Sequence, residues 1–215
     1  MRKQTSKKLE KIYNEFSGTI TQSDRNYLRS IRVLINLAEE REPYTRKHSI
    51  RVSNYAVMLA KSLALPKEEI QRIRIAAMLH DIGKIGIDRN ILLKKGPLSK
   101  KEYNAVKRHS EFGAEILRPL KFFDPIASII RHHHENYDGT GYPDGLKGED
   151  IPRASRIISI ADSYDALTSK RTYRNAYSEE EAKKIMRGEA GTRFDTLFLK
   201  KFIDCLCRQA KTGKK

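Results

Sequence analysis

The sequence predicts an all-α protein, a single domain built as a bundle of about seven to nine helices. Apolar residues recur every three or four positions along most of the chain, which is the pattern of amphipathic helices. Helix-starting signals accompany that pattern: two acidic residues follow Pro66, a glutamate stands three positions after Ser99 and after Ser178, and a proline follows Asp124. No stretch alternates apolar and polar residues in the manner of a β-strand.

The first three helices are expected before position 90. Ser23 can cap a leading helix that presents Leu28 and Ile35 on one face, and Pro43 interrupts it. Pro66 opens the third, which ends among glycines. Both the second and the third helix carry histidine or lysine on an otherwise apolar face. The face of the second comprises His48, Val52, Ala56, Leu59 and Leu63, and the face of the third comprises Ile70, Ile73, Ala77, His80 and Lys84.

Five further helices follow. Capping boxes at Ser99 and Ser178 predict two of them, and Asp124 with the proline after it predicts a third that ends in a run of histidines. Pro152 begins another, which carries two aspartates, and Asp195 caps the last.

Composition indicates one globular domain with a strongly charged surface. The chain has 215 residues, 39% of them hydrophobic and 33% charged. No signal peptide is recognisable at the N-terminus, and no apolar run approaches the roughly 18 residues of a membrane span. Cys205 and Cys207 would point to different sides of a helix, so we expect no disulfide and a cytoplasmic location.

The net charge of +16 is concentrated at the ends. Residues 1–47 carry 11 Lys and Arg against 6 Asp and Glu, and residues 200–215 carry 6 against 1. A solvated basic tail is one interpretation, and nonspecific attraction to nucleic acid or to an anionic membrane surface is the other. No groove-reading motif accompanies the charge, so we expect no sequence-specific nucleic-acid recognition.

The histidines carry the functional signal. In the helix that begins at Asp124, three isoleucines at helical spacing are followed on the same face by His133 and His134, whereas His132 points away from that face. Two imidazoles entering a core are costly unless something pairs with them. A hydrogen-bonded core histidine is the simpler interpretation of one such residue, but a ligand role is favoured for two adjacent ones.

Other candidate ligands share the same inward geometry. Taken singly each has a simpler interpretation, such as a chance His-Asp dipeptide or a solvated aspartate. Together they predict a two-metal site, because imidazole and carboxylate are ligands for reactive divalent metals. Besides the histidine pair, these candidates are His48, His80, Asp81, His109 and Asp162, and Asp165 lies one turn after Asp162 on the same side.

Two divalent ions about 4 Å apart lower the pKa of a bridging water and bind phosphate oxygens, which predicts hydrolysis at phosphorus by a metal-bridged hydroxide. Lys84, one turn after His80, would place an ammonium beside the developing charge. An exposed lysine after a helix end is the alternative.

Two complete motifs resemble the HD-GYP family, bacterial HD-superfamily phosphodiesterases that hydrolyse cyclic di-GMP. The first is HDIGK at residues 80–84, and the second is HHENYDGTGYP at residues 133–143. The resemblance covers about residues 40–205, and it implies a helical HD domain with a glycine-rich GYP loop. It divides the chain into a basic leading segment at 1–40, a catalytic domain at 41–207 and a basic tail at 208–215.

The resemblance also implies the role of each site residue. The first metal would be held by His48, His80, Asp81 and Asp162, and the second by Asp81, His109, His133 and His134. Asp81 and Lys84 would be catalytic, and Lys84 would contact the scissile phosphate. The substrate would also be bound by Tyr142, Asp165, Arg171 and Arg174, although loop packing or surface charge could explain Tyr142 and the arginines.

Three positions depart from the family pattern. Tyr44 stands where some members carry a glutamate that binds a third metal, so we expect two ions, iron or manganese first and nickel or zinc as alternatives. Thr172 stands where family members often have proline, and this would weaken phosphate binding by the neighbouring arginines. Thr196 replaces another, with a structural effect only.

The expected function is hydrolysis of cyclic di-GMP to linear pGpG, in some family members cut on to GMP. One alternative is an HD phosphohydrolase acting on another nucleotide, including a mixed cyclic dinucleotide. The other is a catalytically silent module that binds a cyclic dinucleotide or an interaction partner. The leading helix could serve a homodimer or a docking partner.

Overall fold

The computed structural model describes residues 26, 45–94, 96–119, 121–170 and 175–212, and the regular secondary structure in this part of the chain consists of helices joined by turns and loops. No β-strand occurs within it, so the all-α prediction is confirmed. The helices are α1 (Thr45–Ser62), α2 (Lys67–Leu79), α3 (Arg89–Leu92), α4 (Lys100–Lys107), α5 (His109–Leu117), α6 (Asp124–Arg131), α7 (Arg153–Thr168), α8 (Glu179–Gly188) and α9 (Thr196–Thr212).

The predicted leading helix lies outside the described residues, apart from Asn26, which is helical. The chain divides into two units, residues 1–46 and residues 47–215. Every residue of the cluster described below belongs to the second unit. The predicted domain limits at 40 and 207 stay predictions.

The helix-starting signals act as the sequence predicts. Complete capping boxes join Ser99 to Glu102 at the start of α4 and Ser178 to Glu181 at the start of α8. Oδ1 of Asp195 accepts hydrogen bonds from the backbone nitrogens of Leu197 and Phe198, at 2.9 and 3.1 Å, and so caps α9.

Two groups of helices surround a continuous apolar core. Helix α5 packs against α6 and against the 3-10 turn Ile82–Gly86, and α6 also packs against α2. Helix α7 packs against α2, α8 and α9, and its Ile157, Ile158 and Ile160 are fully buried. Burial of such side chains stabilises each by about 1.5–3 kcal/mol, so α7 is the central element of its group.

Two helices end earlier than their apolar pattern suggests. Helix α2 stops at Leu79, so Lys84 lies on the 3-10 turn and not on a continued helix. Helix α6 stops at Arg131, so His133 and His134 lie in the turn that follows it. Periodicity cannot detect either end, because a helical turn and a tight turn keep neighbouring side chains on similar sides.

No helix among the described residues is long and apolar enough to cross a membrane.

Candidate metal centre

Seven polar side chains from distant parts of the sequence converge between α1, α2, α5, α6 and α7. We call this group the histidine–aspartate cluster. His80 and Asp81 come from the end of α2, and His109 is the first residue of α5. The whole cluster comprises His48, His80, Asp81, His109, His133, His134 and Asp162, each of which belongs to a group of side chains that could hold a metal ion.

One half of the cluster is formed by His48, His80 and Asp162. Nε2 of His48 lies 3.2 Å from Oδ1 of Asp162, and Nε2 of His80 lies 3.9 Å from the same oxygen. These three atoms therefore face a common point, as the ligands of one ion would.

The other half is formed by His109, His133 and His134. The Nε2 atoms of His109 and His133 are 3.3 Å apart, and the ring centroids of His109 and His134 are 5.0 Å apart. His133 is fully buried.

Asp81 lies between the two halves. Its Oδ2 atom is 3.8 Å from Nε2 of His48 and 3.5 Å from Nε2 of His80. Its Oδ1 atom is 3.6 Å from Nε2 of His109. Because the two oxygens face different histidines, this one carboxylate can serve both halves.

Backbone carbonyls orient three of the imidazoles. Nδ1 of His80 donates to Ala77 at 2.8 Å, Nδ1 of His109 donates to Val106 at 2.7 Å, and Nδ1 of His133 donates to Ile130 at 2.6 Å. In each case the acceptor stands three residues earlier. These bonds fix the tautomer and leave the Nε2 lone pair directed into the cluster, which is the usual arrangement behind a metal-binding histidine.

His48 is oriented by a carboxylate instead. Its Nδ1 atom lies 2.7 Å from Oδ2 of Asp165, and Asp165 also receives two hydrogen bonds from the guanidinium of Arg51. Asp165 is 1% exposed. The carboxylate of Asp165 therefore faces His48 from the side opposite to the cluster. Substrate binding by Asp165, which was expected from the sequence, stays a prediction.

Burial and charge tune the ionisation of these groups. Burial lowers the pKa of His109, and it lowers the pKa of His133 and His134 further, to about 3 for His134, with neighbouring histidines adding to the effect on His133 and His134. Burial alone would raise the pKa of Asp81 and Asp162, but the ammonium of Lys84 beside Asp81 and the hydrogen bond of His48 to Asp162 are the leading causes that hold both pKa values well below the ordinary value.

His48 behaves differently from the other histidines. Burial opposes its charged form, yet the hydrogen bonds to Asp162 and Asp165 together outweigh burial and raise its pKa to about 9. Three histidines are thus held neutral, two aspartates are held anionic, and one histidine must release a proton before it can bind a cation.

The donor set fits divalent metal ions. Neutral imidazoles with directed Nε2 atoms and ionised carboxylates are ligands for iron, manganese, nickel or zinc. The two carboxylates that are ionised within the cluster also supply negative charge that would balance a bound cation.

Lys84 reaches the cluster from the 3-10 turn. Its Nζ atom lies 2.7 Å from Oδ2 of Asp81, and its side chain is partly exposed. Gly83 permits this turn to approach α5, since an added Cβ there would overlap the backbone carbonyl of His109.

The glycine-rich loop covers the histidine pair. The ring of Tyr142 stacks on the ring of His134 with centroids 4.9 Å apart and planes 29° from parallel. Gly141 makes this approach possible, because an added Cβ would overlap the backbone nitrogen of Asn136. Burial raises the pKa of the Tyr142 phenol, so the hydroxyl stays neutral.

Glu135 holds the loop from the other end. It is 2% exposed, and its Oε1 atom accepts hydrogen bonds from the backbone nitrogens of Asp144 and Gly145 at 2.8 and 3.1 Å. Neither its role nor that of Arg51 was predicted from the sequence. For Glu135 the signal was its position directly after the histidine pair, and for Arg51 it was the three-residue spacing from His48.

His132 lies outside the cluster. Its Nδ1 atom donates to the carbonyl of Ser128, and its Nε2 atom lies 2.8 Å from Oδ2 of Asp144, whose carboxylate is also held by Arg131. Four further residues of the sequence analysis, Tyr44, Arg171, Thr172 and Arg174, lie outside the described residues.

The chain is similar in sequence to a known protein family and to characterised proteins. A family described as "HD domain" matches residues 32–197. A cyclic di-GMP phosphodiesterase response regulator of Xanthomonas campestris is 41% identical over 177 residues, covering 81% of this chain and 46% of that protein. The chain belongs to the HD domain family. The resemblance drawn from the two motifs is thereby confirmed.

Other HD domain relatives differ in the substrate that they are named for. A 3'3'-cGAMP-specific phosphodiesterase of Vibrio cholerae is 40% identical over 159 residues, covering 74% of this chain and 35% of that protein. A cyclic di-GMP phosphodiesterase of Thermotoga maritima is 36% identical over 199 residues, covering 91% and 53%. This chain thus spans about half the length, or less, of the relatives that it matches.

Solved structures share the fold. A protein described as HDG"Y"P from Bdellovibrio bacteriovorus has a TM-score of 0.62 at 25% identity, covering 75% of this chain and 52% of that one. The HD domain of the Listeria monocytogenes phosphodiesterase PgpH has a TM-score of 0.59 at 20% identity, covering 85% and 99%, which shows likeness of fold alone.

Proposed function

We propose that the chain is a metal-dependent phosphodiesterase that hydrolyses cyclic di-GMP to linear pGpG, with GMP as a further product. The observation that carries this proposal is the placement of Asp81, whose two oxygens face separate histidine groups. One carboxylate between two ligand groups is the arrangement of a two-metal site, and such sites serve phosphoester hydrolysis. The named activities of the relatives agree with it.

Each ion would have its own ligands. His48, His80 and Asp162 would hold the first, His109, His133 and His134 would hold the second, and Asp81 would bridge them. What supports two ions is that these residues form two groups of three, and within each group the ligand atoms lie within 4.8 Å of one another. A third such group, His80, Asp81 and His133, links the two. Divalent ions there supply Lewis acidity toward the phosphodiester and lower the pKa of a water molecule toward neutrality.

The remaining residues bind and orient the substrate. The Lys84 ammonium, beside Asp81, would contact the oxygens of the scissile phosphate, where negative charge grows as the P–O bond breaks. The Tyr142 ring would line the site of one base, stacked as it is over His134. Arg171 and Arg174 would grip phosphate, as the family resemblance implies.

A second candidate substrate is 3'3'-cGAMP. One specific observation favours it: a relative with 40% identity is named for that mixed cyclic dinucleotide. The two substrates share the phosphodiester chemistry and differ in one base, so the metal cluster would serve either.

A substrate panel tests the proposal. Purified protein with its metal content measured would be incubated with cyclic di-GMP, 3'3'-cGAMP and cyclic di-AMP, and the products separated by chromatography. We expect turnover of cyclic di-GMP, and we expect Asp81→Asn to lose both metal and turnover. Asp204→Asn, an exposed aspartate on α9, is the matched control and should behave as the parent. Metal-loaded protein that cuts none of the three would refute the function.

A further inference from the structure

An aromatic and cationic edge borders the cluster on the side of Tyr142. Nζ of Lys107 lies 5.0 Å from the centroid of the Tyr142 ring and 4.9 Å from the centroid of the Tyr103 ring. Both distances are those of cation–π contacts. The ammonium therefore stands between two aromatic rings, one of which stacks on His134.

This edge has a fixed position relative to the cluster. Tyr103 and Lys107 lie four residues apart on α4, so they share one face of that helix. The last turn of α4 is tied to the cluster, because the carbonyl of Val106 accepts the hydrogen bond from Nδ1 of His109 at 2.7 Å. A ligand held by the α4 face would thus have a defined placement beside the histidines.

The edge is also available to a ligand. Tyr103 is 49% exposed, so part of its ring is accessible to a ligand. Lys107 forms no ion pair with a carboxylate in the part of the chain that the structure describes. A cation with exposed aromatic surface beside it suits an anion that carries a planar ring, and a nucleotide is such a group.

We propose that Tyr103 and Lys107 form a second subsite, which binds the half of the cyclic dinucleotide that is not being cut. Lys107 contacts the phosphodiester that stays intact, and the face of Tyr103 stacks on a base. This inference rests on the proposed function, because it supplies the second nucleotide contact of the same site. Every cyclic dinucleotide carries two phosphodiesters, and the cluster can engage only one at a time.

The test separates substrate binding from catalysis. Tyr103→Ala and Lys107→Gln would be assayed with cyclic di-GMP and with bis(p-nitrophenyl) phosphate, a diester that has no second nucleotide. We expect KM for cyclic di-GMP to rise about fivefold in the first variant and about tenfold in the second. Metal content, kcat and hydrolysis of the small diester should stay as in the parent.

Two matched controls accompany these variants. Tyr103→Phe retains the ring and should retain the KM of the parent. Lys101→Gln removes an exposed lysine that lies on the opposite side of α4, and it should have no effect. An unchanged KM in both Tyr103→Ala and Lys107→Gln would overturn the subsite, and so would an equal loss on both substrates.

If the proposed phosphodiesterase function is wrong, the kinetic assays give a different result from the one expected if only the subsite is wrong. The parent protein would then cut no cyclic dinucleotide, and binding of cyclic di-GMP by isothermal titration calorimetry would decide on the subsite. Parent binding that Tyr103→Ala and Lys107→Gln weaken supports it. Binding that is equal in all three proteins, or absent from the parent, overturns it.

Discussion

Asp165 holds His48 from behind the cluster, with Oδ2 of the aspartate 2.7 Å from Nδ1 of the histidine. In the neutral ring this bond keeps the proton on Nδ1 and leaves the lone pair on Nε2, which lies 3.2 Å from Oδ1 of Asp162. Carboxylates behind a metal-binding histidine raise its basicity and fix its ring. Asp165 would therefore govern how firmly His48 holds an ion.

Asp165→Asn should weaken metal binding by about 10–100-fold, because the amide cannot stabilise the imidazole as the carboxylate does. Titration of metal-free protein with Mn²⁺, followed by calorimetry, measures the change. The KM for cyclic di-GMP should stay unchanged once the metal is saturating. A raised KM with unaltered metal affinity would instead place Asp165 in contact with substrate, as the sequence analysis expected.

His133→Gln and His132→Gln form a matched pair of adjacent substitutions. The first removes a fully buried cluster histidine and should lower the bound metal by about one ion per chain, with turnover falling at least about a hundredfold. The second alters a residue paired with Asp144 and should leave metal content as in the parent. Elemental analysis of both proteins checks this. Metal loss in His132→Gln would show that the assignment of the two residues is reversed.

The metal-free protein should lose stability as the pH falls from about 7 to 5. The pKa values of His109, His133 and His134 are lowered in the folded state, so below the unfolded value of about 6.5 the unfolded chain takes up protons that the folded chain does not. Each such histidine changes the free energy of unfolding by about 1.4 kcal/mol per pH unit in that window. His48, whose pKa is raised, acts in the opposite sense and loses its contribution between about pH 6.5 and 9.

Thermal unfolding of chelator-treated protein at pH 7.0, 6.0 and 5.0 measures this dependence. His134→Gln should flatten it, because one of the three histidines that stay neutral is removed. A melting temperature that rises toward pH 5 would contradict the neutral state of these imidazoles.

Gly141→Ala should displace the GYP loop, because the added Cβ overlaps the backbone of Asn136. The Tyr142 ring would then lose its stacking on His134, and we expect KM for cyclic di-GMP to rise with metal content unchanged. Gly188→Ala is the control, since an added Cβ there meets nothing within 4 Å. Steady-state kinetics of both variants compares them, and equal KM values would count against a substrate role for the loop.

The sequence by itself determined the helical class, several helix starts and the residue types of the cluster, whereas the starts of α3 and α5 were not predicted. Those features are local: a capping box at Ser99 or Ser178 needs only four consecutive residues, and an apolar face needs only periodicity. Complete motifs at residues 80–84 and 133–143 also identified the family, which the comparisons confirmed.

The tertiary structure decided which partner each polar side chain meets. His48 and Asp165 are 117 positions apart, and only the crossing of α1 with α7 brings them together and gives Asp165 a positioning role. The early end of α2 put Lys84 on a 3-10 turn beside Asp81, and the end of α4 put Lys107 between two tyrosine rings. Periodicity gives the face of a helix but not the neighbour of that face, because the neighbour depends on packing between segments distant in the chain.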